Sequence, residues 1–410
     1  METQPFPMGF WNYTQTGQLG PKDVTDWSDC GMTLTMSPAF NPELHNKADL
    51  LALLDACAEQ GVRLIVCDTR ARWHGAAGDA AAYRARFQTA YEDFGRHPAV
   101  FGFHVGDEPR AADEADCVAA CRIQQEVAPE LTPFLNHFPW HSEINRLLET
   151  KDYSGWLTEF VQKSGSRLLC YDCYSQMNPE DEGIEMYYKN LHVFSAAARA
   201  AGVPLWTTLL SVGHFRYRCP NEDELRWQLS TAAACGCQGI LWFFFYERLP
   251  FINYRLPPID EFWERTPTYW ALRRCVRRFM AQHAPVLQKL RLQRVYHVGK
   301  SYGGYPLFEK QVDPLLQNAQ ASEHVPLVVS VFTDADGREY CCVVNNSQKD
   351  STLATLTFPG ADTRLYIQNF DGNEALVGKQ QDAFYAARDD AIVSGTWLAP
   401  GQMELYRVER

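Results

Sequence analysis

Two kinds of hydrophobic pattern alternate along residues 1–285. Short apolar or β-branched runs, typical of buried strands, are followed by longer stretches in which apolar residues recur every three or four positions, as on an amphipathic helix. Strands and helices that alternate in this way predict a parallel sheet with helices outside it. The eight runs are Met8–Tyr13, Met32–Met36, Arg63–Asp68, Val100–Gly106, Thr132–His137, Arg167–Tyr174, Pro204–Leu210 and Gly239–Tyr246.

The stretches between these runs supply the helices that a closed barrel needs. Eight strands that alternate with helices predict a (β/α)₈ TIM barrel over residues 1–285. An arginine-rich helix, Pro267–Ala284, is expected to close it. The other predicted helices are Lys47–Gln60, Asp79–Phe94, Ala112–Val127, Tyr153–Lys163, Ile184–Ala201 and Glu222–Ala234.

The chain changes character after Pro285, where β patterns and turn signals such as Asp371-Gly372-Asn373 dominate. They predict a small antiparallel β-sandwich over residues 286–410, with the polar segment Asp313–His324 as a loop. We expect this domain to buttress the barrel or to support homo-oligomerisation. The predicted strands are Leu327–Phe332, Glu339–Asn345, Thr352–Phe358, Thr363–Gln368 and Gln402–Val408.

Composition and charge exclude several classes of partner. A net charge of −12 disfavours nucleic acid and anionic membranes, whose binding relies on Lys and Arg. The segment Met1–Pro7 lacks the basic and apolar regions of a signal peptide, and no stretch approaches about 18 uninterrupted apolar residues. Thirteen cysteines, an odd number, indicate reduced buried thiols. We therefore expect a soluble cytoplasmic protein that binds neither nucleic acid nor membranes.

Metal and cofactor chemistry leaves little trace in the sequence. The spacings of Cys117/Cys121 and Cys235/Cys237 are poor matches to the paired motifs of a zinc site. Tyr302-Gly-Gly-Tyr305 lies in the β-rich part with no helix after it, so it does not predict a phosphate loop. We expect no metal and no cofactor.

The fourth run is followed directly by Asp107-Glu108-Pro109, at the edge where barrel enzymes build their active sites. Pro109 cannot continue the sheet ladder, so Glu108 is predicted to stand at the strand end. Alternation places it on one side with His104 and Gly106, where the small glycine is expected to leave room for a ligand. Such a carboxyl suits glycosidic bond cleavage, which needs a proton donor and a second carboxylate. The alternative is that the tripeptide only caps the following helix.

Asp107-Glu108-Pro109, together with the eight-strand layout and the trailing β-sandwich, resembles the clan A glycoside hydrolases. In those enzymes the fourth strand ends in Asn-Glu-Pro or a similar tripeptide, and the resemblance implies that Glu108 is the acid or acid/base. Asp107 departs from the usual Asn, which contacts the sugar 2-hydroxyl. A larger departure lies at the seventh strand, where that family has its nucleophilic Glu and the stretch Leu205–His214 contains no acid. The resemblance therefore does not supply the second carboxylate.

Two acids at other strand ends are candidates for that role. Glu247 follows the eighth run, which lies opposite the fourth in the barrel, and Asp172 lies close to the end of the sixth run, within Cys170–Tyr174. A carboxyl separation of roughly 6.5 to 9.5 Å predicts inversion of the anomeric centre, and one near 5 Å predicts retention. Against Glu247, alternation groups it with Phe243 and Phe245, and Arg248 is placed to hold it in a structural ion pair.

Polar and aromatic residues at the remaining strand ends are expected to bind hydroxyls and sugar faces. The sequence therefore predicts a glycoside hydrolase acting on a small oligosaccharide or glycoside. The alternatives are a non-catalytic carbohydrate-binding or structural protein on a decayed glycosidase barrel, and a lyase or transferase acting on glycosides. The predicted binding residues are Trp11, Asn12, Asp68, His104, Asp107, Asn136, His137, Tyr171, Trp206, His214, Trp242 and Tyr246.

Overall fold

A computed structural model describes residues 5–180, 182–248, 253–378 and 383–410. Eight parallel strands form a nearly closed barrel, which confirms the predicted TIM barrel. Pairing runs in sequence order from the second strand to the eighth, and the eighth pairs with the first. The strands are β1 (Met8–Phe10), β2 (Leu34–Phe40), β3 (Arg63–Asp68), β4 (Val100–Asp107), β5 (Phe134–His137), β6 (Leu169–Asp172), β7 (Leu205–Leu210) and β8 (Cys237–Phe243).

Side-chain hydroxyls close the seam between β1 and β2. The Thr33 and Thr35 hydroxyls accept hydrogen bonds from the backbone N–H groups of Met8 and Phe10, at 3.0 and 3.3 Å. A Cβ on Gly9 would lie 1.5 Å from the carbonyl oxygen of Leu34, so only glycine allows this approach. The two strands therefore lie side by side although no regular ladder joins them.

The barrel helices largely follow the predicted periodicity. The segment after β1 forms a helix that the pattern did not predict, and the helix predicted to end at Phe94 ends at Ala90 and continues as a π-helical turn. None of the described helices is long and apolar enough to cross a membrane. The helices are α1 (Val24–Cys30), α2 (Lys47–Glu59), α3 (Ala80–Ala90), α4 (Glu114–Val127), α5 (Ile144–Leu147), α6 (Tyr153–Ser164), α7 (Glu182–Ala201), α8 (Glu222–Ala234), α9 (Pro267–Gln282) and α10 (Ala284–Leu287).

The strands after α10 form two antiparallel sheets that enclose their own apolar core, which confirms the predicted sandwich. They are β9 (Arg291–Val298), β10 (Asn318–Ala321), β11 (Leu327–Thr333), β12 (Glu339–Asn345), β13 (Thr352–Pro359), β14 (Arg364–Gln368), β15 (Glu374–Leu376), β16 (Ala383–Arg388), β17 (Ala391–Leu398) and β18 (Met403–Glu409). The six-stranded sheet has the order β15-β14-β18-β12-β11-β9, and the four-stranded sheet has the order β10-β13-β17-β16.

The loop predicted over Asp313–His324 was only partly right. Leu315 and Leu316 are fully buried in the sandwich core, and the following residues form β10, which pairs with β13. The sequence of β10, Asn-Ala-Gln-Ala, has no β-branched or aromatic residue, so its composition did not mark a strand.

The sandwich packs against the helices α7 and α8 of the barrel. The side-chain oxygen of Asn346 accepts hydrogen bonds from the Tyr188 hydroxyl at 2.6 Å and from the Trp227 indole at 2.9 Å, and all three residues are buried. A Cβ on Gly401 would lie 2.4 Å from the backbone of Trp227. The close fit ties the sandwich to the outer helices.

Candidate active site

A pocket of about 520 Å³ opens where the barrel strands end. Its walls come from the segments that follow β1 and β4 to β8, which is the position of barrel active sites. No residue of the sandwich is among the described residues that line it. The lining residues are Trp11, Tyr13, Asp107, Glu108, Asn136, Pro139, Trp140, His141, Asp172, Cys173, Tyr174, Ser175, Asn178, Met186, His214, Phe215, Arg216, Tyr217, Phe243, Arg248 and Tyr254.

Three carboxyl groups meet in this pocket. The Asn136 side-chain amide donates one hydrogen bond to Asp107 at 3.0 Å and another to Asp172 at 2.7 Å. The strand register brings them together, because Asp107 on β4 lies opposite Asn136 on β5, next to β6. Glu108 follows with its backbone N–H bonded to the Asn136 carbonyl at 2.9 Å. Its φ of 47° turns the chain out of the strand, so Asp107 and Glu108 both reach the pocket.

Burial and mutual repulsion raise the pKa of each of these acids. Burial, then the charges of Asp172 and Asp107, raise the pKa of Glu108 to about 9. Burial and Asp107 raise the pKa of Asp172 to about 7, against the opposing effect of the Asn136 hydrogen bond. Burial also raises the pKa of Asp107. Glu108 therefore holds a proton at neutral pH, while Asp172 titrates there.

Aromatic rings make up much of the remaining wall. The Arg248 guanidinium lies 3.9 Å from the centre of the Tyr13 ring, and Tyr254 stacks on His214 with ring centres 5.6 Å apart. Burial lowers the pKa of His214 to about 4, so this imidazole is neutral at physiological pH. Among the described residues, no group of three or more His, Cys, Asp or Glu side chains is arranged to hold a metal ion.

Several lining residues were not singled out in the sequence, among them Tyr13, Trp140 and Tyr254. The available signal is that they belong to segments that connect a strand end to the next helix, such as His137–His141 and Tyr246–Thr266, since such connections often carry function. Residues 249–252 of the second segment lie outside the described residues. An isolated aromatic residue in such a loop has no periodicity that distinguishes it from core.

The structure brings together only some of the residues predicted to form the site. Trp11, Asp107, Glu108, Asn136, Asp172 and His214 line the pocket. Asn12, Asp68, His104, His137, Tyr171, Trp206, Trp242, Tyr246 and Glu247 do not.

Two of the polar residues that do not line the pocket bind residues close to them in the sequence. The Asn12 side-chain oxygen accepts hydrogen bonds from the backbone and hydroxyl of Thr14. Asp68 is fully buried and forms an ion pair with Arg70 at 2.7 Å. Both side chains have structural partners that account for their burial.

His104 lies beside the carboxyl cluster but outside the pocket, where its ring nitrogens contact the Arg72 guanidinium at 3.1 Å and the Gly106 carbonyl at 3.0 Å. The space expected beside Gly106 is not open to a ligand. A Cβ there would lie 1.6 Å from the ring of Trp73, so the glycine makes space for an indole of the protein itself.

Other predicted binding residues lie on the outer face of their strands, towards the helices. The Tyr171 ring stacks on Phe194 with centres 4.0 Å apart, and the His137 ring lies 4.9 Å from that of Phe160. Each is the sequence neighbour of a pocket residue, because successive side chains of a strand point to opposite faces.

The remaining aromatic candidates are core residues. Trp242 is fully buried on the helix side of β8, and the Tyr246 hydroxyl accepts a 2.5 Å hydrogen bond from the Trp27 indole. Trp206 fills the barrel interior and stacks on Phe101 with ring centres 5.4 Å apart. None of them reaches the carboxyl cluster's pocket.

Glu247 does not join Glu108 in the pocket. The strand predicted to run to Tyr246 ends at Phe243, and the chain beyond it pairs with the segment around Ile259, whose carbonyl accepts the Glu247 N–H at 2.9 Å. The Glu247 carboxylate accepts a hydrogen bond from the backbone of Arg248 at 3.0 Å. Of the two candidate partners, only Asp172 shares the pocket with Glu108.

No protein-family model and no curated protein matches this sequence. Its fold, a (β/α)₈ barrel followed by antiparallel sheets, is that of solved glycoside hydrolases. A family 5 glycoside hydrolase from Bacteroides vulgatus matches 98% of this chain and 89% of its own at 11% identity and a TM-score of 0.61. A family 39 glycoside hydrolase from Bacteroides cellulosilyticus matches 99% and 81% at 11% identity and a TM-score of 0.51.

A β-galactosidase from a psychrophilic Marinomonas is similar over 69% of this chain, at 11% identity and a TM-score of 0.52. The chain spans about 62% of the length of that enzyme. Identities this low establish a shared fold, so the chemistry is argued from the residues of the pocket.

Proposed function

We propose that this protein is a glycoside hydrolase and that Glu108 is its proton donor. The proposal rests chiefly on one observation: a half-buried carboxyl at the end of β4 has its pKa raised to about 9 and shares a pocket with two further carboxyls. An acid that keeps its proton at neutral pH can deliver it to the glycosidic oxygen as the bond breaks.

Asp172 is the second carboxylate of this proposal. It lines the same pocket as Glu108, and the 2.7 Å hydrogen bond from Asn136 favours its ionised form. In the ionised state Asp172 either takes a proton from the attacking water or itself attacks the anomeric carbon, depending on its separation from Glu108. Asp107, held by the same amide group, is a positioning residue.

The sugar is proposed to bind against the strand ends, where the hydrogen-bonding groups are concentrated. Asn136 and Asp172 contact its hydroxyls, and Trp11, His214 and Tyr13 supply flat faces for the ring. A cavity of about 520 Å³ suits a small glycoside or short oligosaccharide.

The test is hydrolysis of a panel of aryl glycosides that varies the sugar and the anomer, with the products followed by NMR. We expect Glu108→Gln and Asp172→Asn each to lose activity about 100-fold or more. Glu247→Gln is the matched control and is expected to retain activity, because its carboxyl lies outside the pocket. The anomer formed first distinguishes inversion from retention.

Two results would overturn the proposal. If the wild-type protein binds sugars but hydrolyses none of the panel, the protein is a carbohydrate-binding protein on a glycosidase barrel. If Glu247→Gln is inactive and Asp172→Asn is active, the second carboxylate is assigned wrongly. Thermal melting of each variant separates loss of activity from loss of fold.

A further inference from the structure

Several apolar and aromatic side chains line the pocket beyond the strand ends. Hydrogen-bonding groups, including Asp107, Asn136 and Asp172, lie at the base, where the strands end. Beyond the strand ends the lining is mixed: it contains polar residues such as His141, Asn178 and Arg216, but also the loop residues Pro139, Trp140, Phe215 and Tyr254 and the α7 residue Met186, which have apolar or aromatic side chains. A polyol is better satisfied at the base, and a flat apolar group is better satisfied against these rings.

Trp140 is held in place by a buried amide. The Asn190 side chain is fully buried on α7, and it accepts a hydrogen bond from the Trp140 backbone N–H at 2.5 Å and donates one to its carbonyl at 3.1 Å. The half-buried indole is therefore presented to the pocket from a fixed backbone. A fixed backbone limits the positions that the ring can take before a ligand binds.

Phe215 is a lining residue with 68% of its side chain exposed. Its φ of 47° is strained for an aromatic residue, and such strain is concentrated at functional sites. Two backbone hydrogen bonds between Gly213 and Arg255, at 3.0 and 2.8 Å, fix the loop, and the Phe215 ring lies 6.3 Å from that of Tyr254. The loop is therefore organised to present an apolar ring to solvent at the pocket mouth.

The position of the acid identifies the part of a substrate that meets these rings. A proton donor must lie beside the leaving oxygen, so the leaving group occupies the side of the pocket next to Glu108. Glu108 is bonded to β5 through the Asn136 carbonyl, and the segment after β5 carries Trp140. The segment after β7 that carries Phe215 also reaches this side, because burial and then neighbouring charges that include Glu108 raise the pKa of its Tyr217. We infer that the leaving group is flat and apolar, such as an aryl aglycone, and that Trp140 and Phe215 bind it. This inference rests on the proposed glycoside hydrolase function.

Binding without turnover tests this inference. Phenyl and methyl thioglycosides of glucose, galactose and mannose, in both anomers, are titrated into Glu108→Gln by calorimetry. We expect the phenyl compound to bind about tenfold more tightly than the methyl compound of the same sugar. When Trp140→Ala or Phe215→Ala is added to this variant, each should remove most of the difference in affinity between the phenyl and methyl compounds. Trp140→Phe should keep most of that difference. Phe262→Ala, which removes a 74% exposed ring that does not line the pocket, should leave it unchanged.

Three results would overturn the inference: equal affinity within each pair, a ratio that survives both Trp140→Ala and Phe215→Ala, or no binding of any compound. Phe215 is exposed, so its alanine variant is a test even if Trp140→Ala does not fold. Hydrolysis by the wild-type protein without phenyl preference refutes this inference alone. Phenyl preference without hydrolysis refutes the proposed function and leaves the apolar subsite in place.

Discussion

Replacing Glu108 by glutamine should stabilise the fold, and the gain should depend on pH. Between its ordinary pKa of 4.5 and its raised pKa of about 9, Glu108 keeps a proton in the folded protein that the unfolded chain releases. Because the folded state then binds more protons than the unfolded state, the free energy of unfolding falls as pH rises through this window. Glutamine resembles the protonated acid and does not titrate, so it removes this cost.

The size of the effect follows from the pKa. Holding the proton costs about 1.4 kcal/mol per pH unit, or about 3 kcal/mol at pH 7 if Glu108 titrates alone. The neighbouring Asp172 and Asp107 relieve part of this cost when they take up protons themselves. We therefore expect Glu108→Gln to raise the free energy of unfolding by about 1 to 2 kcal/mol at pH 7, and by close to zero at pH 4.

Urea denaturation of the wild-type protein and Glu108→Gln at pH 4, 5.5, 7 and 8.5 measures this difference. Glu43→Gln makes the same change at an exposed position and should alter stability by less than about 0.5 kcal/mol at every pH. A variant that is less stable than the wild-type protein at pH 7, or a gain that is the same at every pH, would show that retaining the Glu108 proton does not destabilise the folded protein.

Three further predictions concern the site and its support. First, kcat/KM should rise through about pH 7 as Asp172 ionises and fall through about pH 9 as Glu108 loses its proton; an optimum near pH 5 would contradict these roles. Second, Asn136→Leu removes the hydrogen bond that favours ionised Asp172, so the acidic limb of that profile should move to higher pH and activity should fall about tenfold or more; an unmoved limb would refute it. Third, Gly106→Ala should destabilise the fold by about 2 kcal/mol in urea, because the new Cβ would lie 1.6 Å from an indole ring, whereas Gly78→Ala has no atom closer than 3.9 Å and is the control. Equal effects of the two alanines would contradict the packing argument.

The parts of the fold that could be predicted are those in which the hydrophobic residues form a pattern typical of a strand or a helix. β3, Arg63–Asp68, and α8, Glu222–Ala234, have the bounds that their hydrophobic patterns predict. Glu108 and Asp172 could be assigned to one site from the predicted ends of β4 and β6 alone, because a barrel gathers its strand ends at one rim.

Whether a given side chain of a barrel strand points inward or outward could not be predicted in the same way. Barrel strands are buried on both faces, so inward and outward positions have similar composition and no polar alternation marks the phase. His137 and Tyr171 therefore looked equivalent to Asn136 and Asp172, their neighbours in the pocket. Asn136 and Asp172 point into the pocket, whereas His137 and Tyr171 point towards the helices. The sequence pattern does not contain this difference.

The end of β8 shows a second limit. Leu241-Trp-Phe-Phe-Phe-Tyr246 is continuously apolar, so nothing in its composition marks the point at which the chain leaves the barrel after Phe243. The pairing partner of the departing segment, Ile259, lies beyond residues that carry no strand pattern. The position of Glu247 depended on that tertiary contact.

Varying the leaving group tests whether Glu108 donates the proton in glycosidic cleavage. Dinitrophenyl, phenyl and methyl glycosides of one sugar that the wild-type protein hydrolyses are compared between wild type and Glu108→Gln. A dinitrophenolate leaves without a proton, so the variant should lose less than about tenfold in kcat/KM on that substrate and about 100-fold or more on the phenyl and methyl glycosides. An equal loss on all three substrates would contradict the assignment of Glu108 as the acid.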